Sequence, residues 1–399
     1  MSKLAKGVFI VGAKRTAFGS YGGALKDTTS IELGEVAARA ALQHANVKPE
    51  HVDSVTAGNV TSCSSNSGPM IARHVGLLVG VPQAVPALTV NRLCGSGFQA
   101  VVTAAQDILL NDANIALAVG SENMSQTPFF IRGARFGVKF STVPLIECGL
   151  WQGLADHHVK MPMGATAEKL AKKYGITREE ADQLALRSQQ RWADAHKRGV
   201  FKEETVPVTI KVKGKDAVFD VDEHPRPQTT IEILAKLPSV FEKNGTVTAG
   251  NASGVNDGAG AVVLASEEAL KQYNLKPLAR VVGYCSVGVD PTIMGIGPAP
   301  AIRKLCESTG ISLNNVDLVD VNEAFASQFC AVEKDLGLDP AKTNVNGGAV
   351  ALGHPVGASG ARITTNLVYE LNRRKAKYGI GSACIGGGQG IAIMIENVQ

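Results

Sequence analysis

One internal repeat constrains this chain more than any other feature of its sequence. Val52-Asp53-Ser54-Val55 recurs as Val316-Asp317-Leu318-Val319, an offset of 264 residues, and Gly120-Ser121-Glu122 answers to Gly381-Ser382-Ala383, an offset of 261. The glycine-rich helix opening Asn91–Gly97 has its counterpart in the segment Asn346–Gly360. A near-constant offset across separate motifs is not what chance similarity gives, so the chain reads as two related halves. Apolar runs at Val8–Val11, Val55–Val60 and Ile115–Val119 predict strands. Helical periodicity covers Ser30–His44, with Ser30 as N-cap, and Cys94–Leu110, apolar enough to be buried on all sides. Such alternation predicts α/β layers on a mainly parallel sheet.

The middle of the chain departs from this pattern. Residues 124–247 carry both tryptophans, Trp151 and Trp192, and long charged stretches. Thr177-Arg178-Glu179-Glu180 has the form of a capping box opening a polar helix that runs to Lys197. Pro225 and Pro227 mark an extended loop, and Thr248–Ala265 then returns to small residues and a strand. The expected division is therefore 1–123 with 248–270 as one half, 124–247 as an insertion, and 271–399 as the second half.

Composition excludes several classes. The 399 residues allow two or three domains. Forty basic against 36 acidic residues leave a net charge of +4, with no basic block, which argues against a nucleic-acid binder. No uninterrupted apolar stretch has the length of a membrane span. The seven cysteines are an odd number, spread without a CxxC pair. That disfavours a zinc site or a thioredoxin-type motif and favours reduced thiols, most of them buried as small hydrophobes. Lys3, Lys6, Lys14, Arg15 and Lys26 precede the first acid, Asp27, and could form a targeting segment. Val8–Val11 reads better as a strand of the fold, so any address would belong to the mature protein. The C-terminal Glu-Asn-Val-Gln is not a peroxisomal signal.

Three glycine-rich motifs and one short motif around Asn322 hold the candidate chemistry. Cys94, in Asn91-Arg92-Leu93-Cys94-Gly95-Ser96-Gly97, follows a strand and opens a helix, where N–H groups and the helix dipole are expected to lower a thiol pKa. The alternative is an inert buried cysteine. Cys384 lies in Cys384-Ile385-Gly386-Gly387-Gly388-Gln389-Gly390, where an unperturbed thiol could exchange protons. A tight turn is the other reading; a dinucleotide loop is weak, because no βαβ unit follows. His354, in Gly353-His354-Pro355-Val356-Gly357-Ala358-Ser359-Gly360, suits a base paired with a cysteine. Asn322, in Asn322-Glu323-Ala324-Phe325, could orient a water or an oxyanion, or simply cap a helix.

Together, in this order, the four motifs resemble those of the thiolase family, and the resemblance covers essentially the whole chain. Further wording, such as Ser188-Gln189-Gln190-Arg191-Trp192 and Val221-Asp222-Glu223-His224, is similar to the mitochondrial 3-ketoacyl-CoA branch of that family. The resemblance implies a five-layered αβαβα fold of two halves plus a loop domain. It implies thiolysis of 3-ketoacyl-CoA to acetyl-CoA and a shortened acyl-CoA, reversible as a Claisen condensation. Cys94 would be the nucleophile, His354 its base, Cys384 the second acid–base, Asn322 the holder of a water, and the N–H groups of Cys94 and Gly386 the oxyanion donors. CoA, a co-substrate and not a bound cofactor, would meet Arg226, Thr229 and Ser253, and no metal is expected. Trp151, Leu154, Met161 and Met163 are candidates for the acyl pocket, with helix core as the alternative for each. A homodimer or homotetramer in the mitochondrial matrix follows by the same resemblance, with the cytoplasm as alternative. Weak acyl-CoA hydrolysis is a possible side reaction. An acetoacetyl-CoA-specific acetyltransferase, a decarboxylating ketoacyl synthase (disfavoured by the Cys384 loop) and a catalytically silent CoA- or lipid-binding scaffold are the competing readings.

Overall fold

Each half of the molecule begins with a strand that ends its own set of strands, where the two halves meet. The computed structural model describes Leu4 and residues 6–399; Lys3, part of the basic N-terminal segment, lies outside the described residues. The first half lays down β1 (Val8–Thr16), α1 (Ser30–His44), β2 (Ser54–Gly58), α2 (Ile71–Val79), β3 (Ala87–Val90), α3 (Ser96–Leu110) and β4 (Ile115–Asn123). An excursion containing α4 (Met163–Tyr174) and α5 (Arg178–Lys197) follows, and β5 (Asn256–Ser266) then returns to the same sheet. The second half runs β6 (Ala279–Gly288), α6 (Pro298–Thr309), β7 (Leu318–Val321), α7 (Ala326–Leu336), α8 (Ser359–Arg374), β8 (Tyr378–Ile385) and β9 (Gln389–Asn397).

Strand pairing reproduces the repeat. In the first half the order is β3-β2-β4-β5-β1, with β2 parallel to β3 and β4, and β5 antiparallel to β4 and β1. The second half repeats four of these positions as β7-β8-β9-β6, with the same parallel and antiparallel senses. The place of β3 is marked by a single parallel bridge from Val319 to Thr343. The halves meet where Phe9 and Ile10 of β1 pair with Arg280 and Ala279 of β6.

Side-chain alternation along the strands then makes five layers. Because successive residues point to opposite faces, Val263 packs outward with Ala37, Ala41 and Val75 of α1 and α2, while Leu264 packs inward. The inward faces of both sheets close on α3 and α8, burying Phe98, Val101, Ile363 and Leu367 with Ile10, Ala118, Ile393 and Ile395. Ile302 and Leu305 of α6 and Phe329 of α7 cover the outer face of the second sheet with Ile380 and Met394. The order is helix, sheet, helix pair, sheet, helix. Each fully buried large aliphatic or aromatic side chain stabilises it by roughly 1.5–3 kcal/mol.

Some sequence expectations need correction. The N-cap of α1 is Thr29, whose hydroxyl accepts from Glu32 N at 3.2 Å while Glu32 accepts from Thr29 N at 2.7 Å. Ser30 is already helical and buried, so it cannot serve. The α3 helix is not buried on every side: Leu110 is 70% exposed, because the helix end runs out beyond the sheets. The span Leu93–Leu110 has a mean hydropathy of 1.2, enough by length and composition to cross a membrane, yet it lies between the sheets. All seven cysteines are free thiols, but only Cys285 and Cys384 are buried outright.

The excursion is fastened to the first half by a buried ion pair. Arg15 at the end of β1 is fully buried and bonds Glu204 at 2.6 Å and Asp222 at 2.7 Å. Asp222 also accepts from Phe18 N at 2.8 Å and Glu223 from Ser20 N at 2.8 Å, which fixes the start of the Pro225–Pro227 loop.

Candidate active site

Cys94 sits at a break between β3 and α3. Leu93 is held at a positive φ of 48°, a left-handed conformation unusual for leucine, so the chain turns sharply before the helix starts. Local bonds hold this turn. Asn91 Oδ1 accepts from Leu93 N at 2.9 Å, and the Ser96 hydroxyl accepts from Arg92 N at 2.8 Å while donating to Leu93 O at 2.7 Å. Cys94 itself lies in the 3-10 turn Leu93–Gly95 preceding α3. The backbone amides of Gly386 and of Cys94 both favour the charged form of its sulfur. These are the two donors that the family resemblance implies for the oxyanion.

The thiol is not acidic, contrary to the sequence expectation. Burial pushes Cys94 up to about 11; the Gly386 and Cys94 amides pull it down by less, and the carboxylate of Glu122 adds to the rise. Desolvation of the anion outweighs the favourable end of the helix. Cys384, near the end of β8, is likewise far from an unperturbed thiol. Burial and then the neighbouring Cys94 sulfur push it well above the ordinary cysteine range. It packs with Met294, Ala324, Phe325 and Met163. The two sulfurs therefore share one desolvated pocket, in which two thiolates cannot coexist.

The other two motifs meet beside them. His354 is buried, and its Nδ1 lies 2.6 Å from Ser359 Oγ. Asn322 Nδ2 is 3.3 Å from His354 Nε2. Asn322 Oδ1 is buried and has no hydrogen-bond partner among the described residues, an acceptor open to a water or a substrate group. Burial, followed by the charge of Arg362, pulls the imidazole down to about 3, so it stands neutral at rest.

Close approach of glycines brings the motifs together. A Cβ on Gly97 would stand 2.6 Å from Ala361 N, and one on Gly360 would stand 2.1 Å from Phe98 N, so the starts of α3 and α8 cross backbone to backbone. A Cβ on Gly95 would stand 2.6 Å from Ile385 Cδ1, which brings the nucleophile turn against the Cys384 loop. That loop reverses through left-handed Gly387 and Gly388.

Sequence reading missed several groups that hold this site. Glu122, seen only as part of the repeat, is fully buried and accepts from Val60 N at 2.9 Å, Asn59 Nδ2 at 3.1 Å and Gly357 N at 3.0 Å. It thereby ties the end of β4 to the His354 loop. Asn256 Oδ1 accepts from His354 N at 3.0 Å. Glu323, next to Asn322, accepts from Ser188 Oγ at 2.7 Å and Asn344 Nδ2 at 2.9 Å. A buried acid or amide beside each motif was the available signal, but nothing local in the sequence says what it bonds.

Known proteins are similar to this chain in sequence and in fold. The thiolase N-terminal domain matches residues 8–268 and the thiolase C-terminal domain matches residues 275–397. The chain belongs to the thiolase family. The mitochondrial 3-ketoacyl-CoA thiolase of Mus musculus is 60% identical over 394 residues, covering 99% of both chains. The acetyl-CoA acetyltransferase of Syntrophomonas wolfei is 48% identical over 393 residues, covering 98% of both. The crystal structure of human mitochondrial 3-ketoacyl-CoA thiolase in complex with CoA superposes with a TM-score of 0.97 at 57% identity, covering 100% of each chain.

In this thiolase chain the CoA candidates separate into two groups. Arg226 and Thr229 line one cavity of about 430 Å³ together with His224, Leu234 and Gly250. Arg226 Nη1 turns back on Glu223 O and His224 O, at 3.1 and 2.8 Å, and the Thr229 hydroxyl closes the turn on Arg226 O at 2.7 Å. Ser253 is not part of that lining; its N–H donates to Ala324 O at 3.0 Å, which puts it beside the Asn322 motif. The two groups adjoin, since a Cβ on Gly254 would stand 2.3 Å from His224 Nε2. Among the acyl-pocket candidates, Met163 reaches the active site, packing by Cys384 and Gly386. Trp151 is 52% exposed.

Proposed function

We propose that this chain is a 3-ketoacyl-CoA thiolase of fatty-acid β-oxidation. The observation that carries the reading is a pair of neighbouring thiols, half-buried Cys94 and buried Cys384, in a site that also sets Asn322 against His354. Cys94 attacks the C3 carbonyl of the 3-ketoacyl-CoA, and its proton passes to His354. With the thiol held high and the imidazole low, no resting ion pair exists, so proton transfer accompanies attack. The N–H groups of Cys94 and Gly386 receive the oxyanion. Collapse breaks the C2–C3 bond and expels the enolate of acetyl-CoA, whose oxygen meets His354 and a water on Asn322. Cys384, kept neutral by its surroundings, donates its proton to the enolate carbon. Its thiolate is unstable there and takes the thiol proton of the incoming CoA, which then attacks acyl-Cys94; the shortened acyl-CoA leaves, and the expelled Cys94 sulfur recovers its proton from His354.

CoA is a co-substrate in this cycle. Arg226, Thr229 and Ser253 form its approach, and residues 124–247 act as the loop domain between the halves 1–123 with 248–270 and 271–399. The relatives named mitochondrial support a matrix location. A homodimer or homotetramer is supported by the edge position of β3, where Leu88 is 52% exposed. Water reaching acyl-Cys94 in place of CoA gives weak acyl-CoA hydrolysis, which would register as free acid and CoA released from acyl-CoA alone.

The identity to the acetyl-CoA acetyltransferase from Syntrophomonas wolfei favours a second reading, an enzyme confined to acetoacetyl-CoA. A chain-length series decides. Purified protein is given CoA and 3-ketoacyl-CoA substrates from acetoacetyl upward, with Cys94→Ala alongside. Rates rising toward medium chains and absent in Cys94→Ala are expected. Activity on acetoacetyl-CoA alone moves the chain to the acetyltransferase class, and no activity on any substrate favours a silent CoA-binding scaffold.

A further inference from the structure

We infer that Ser359 is a positioning residue for His354, setting which ring nitrogen carries the proton and stabilising the imidazolium formed during attack. This rests on the thiolysis reading above. The Ser359 hydroxyl lies 2.6 Å from His354 Nδ1 and 3.1 Å from Pro355 O. Donating its own proton to Pro355 O leaves its lone pair to accept from Nδ1–H. The lone pair of the neutral ring then sits on Nε2; Asn322 Nδ2 lies 3.3 Å from Nε2 and 3.5 Å from Nδ1, so the Ser359 contact is the one that selects the tautomer.

The need for such an acceptor follows from the surroundings. Charged and titratable groups that act on the site include Arg362 on α8, Glu122 at the end of β4, and the thiols of Cys94 and Cys384. Arg362 opposes a second positive charge on the ring. Glu122 spends its oxygens on Val60, Asn59, Thr61 and Gly357, not on His354. No carboxylate bonds His354 among the described residues. When the ring takes the Cys94 proton at Nε2, the Nδ1–H bond to Ser359 Oγ is the protein contact that strengthens. The arrangement is a cysteine, a histidine and a serine in series, with a hydroxyl where other triads place a carboxylate or an amide.

Ser359→Ala removes the acceptor and little else, since Pro355 O also receives Ala358 N at 2.9 Å and Ser359 N at 3.1 Å. The test follows thiolysis and the pH dependence of Cys94 alkylation by iodoacetamide in wild type, Ser359→Ala and Ser359→Thr. In Ser359→Ala, kcat is expected to fall about 10–100-fold, the loss expected for one hydrogen bond to a charged group. Its KM for 3-ketoacyl-CoA should stay within about threefold, a spread too small to count as altered binding energy. Alkylation near neutral pH, where His354 must take the thiol proton, should slow, and Ser359→Thr should restore both rates. A folded Ser359→Ala enzyme with wild-type kcat and the wild-type alkylation profile overturns the inference. Should the threonine variant not fold, the alanine profile decides alone. Nitrogen-15 NMR of wild-type His354 gives an independent reading: a proton on Nδ1 is expected, and a proton on Nε2 in the neutral ring contradicts it. Wild-type protein without thiolysis sinks the functional reading, while the NMR result still decides the tautomer.

Discussion

Cys94 and His354 are mismatched at rest, and the mismatch has measurable consequences. A thiol held near 11 beside an imidazole near 3 gives little thiolate at neutral pH. Iodoacetamide alkylation of free enzyme should therefore keep rising above pH 9, and a plateau by pH 8 would contradict the desolvated site. The histidine also links stability to pH. Folded His354 gives up its proton down to about 3, while an unfolded imidazole holds one to about 6.5, so the unfolded chain binds more protons between those values. Stability from this group is complete above pH 6.5 and is lost as pH falls toward 3, by roughly 3–5 kcal/mol in total. His354→Gln should flatten that part of the acid unfolding profile, and an unchanged profile would show that the ring is not desolvated. Cys384→Ser should still acylate Cys94 slowly while losing proton transfer to the enolate, seen as a loss of steady-state thiolysis with single-turnover acylation retained. Undiminished thiolysis would remove Cys384 from its role.

At the scale of elements, caps and glycine crossings position the chemistry. Thr29→Ala breaks the capping box of α1 and should lower stability by about 1 kcal/mol in urea unfolding, with activity unchanged. Gly97→Ala acts at the crossing of α3 and α8, where the nearest atoms are backbone and cannot yield. It should cost about 1–3 kcal/mol through overpacking and reduce kcat as well, because the helices carry Cys94 and His354 apart. Stability loss with wild-type kcat would mean that the crossing holds the fold alone. The motifs were legible because their residue types are unusual: a cysteine or histidine among glycines has little packing use. The helix at Ser30–His44 and the capping box at Thr177 were legible from periodicity and spacing, although the α1 cap lay one residue earlier. The raised thiols were not legible, because the helix-end effect is local while desolvation depends on Met163, Met294 and Phe325 arriving from elsewhere in the chain.

Across the whole molecule, duplication does the placing. The repeated strand order puts Cys94, Asn322, Cys384 and the His354 loop at related ends of the two sheets, and the helix pair α3 and α8 closes the distance between halves. The repeat was visible in sequence because small motifs kept their offset; the bridge from Val319 to Thr343 was not, because a strand reduced to one pair has no periodicity. The excursion depends on Arg15, whose partners Glu204 and Asp222 are far away in sequence. Asp222→Ala leaves a buried guanidinium short of charge and should destabilise the protein by about 3–5 kcal/mol. It should also raise KM for CoA, since Asp222 anchors the loop that bears Arg226.

The central claim is that the acyl group passes through Cys94. The direct test is a single turnover of excess enzyme with 3-ketoacyl-CoA in the absence of free CoA, quenched in acid and read by mass spectrometry of the Cys94 peptide. The account predicts one shortened acyl group on Cys94 and an equivalent of acetyl-CoA in solution, with later addition of CoA clearing the adduct as acyl-CoA. Release of acetyl-CoA with no adduct on Cys94, or with the acyl group on another residue, would contradict it.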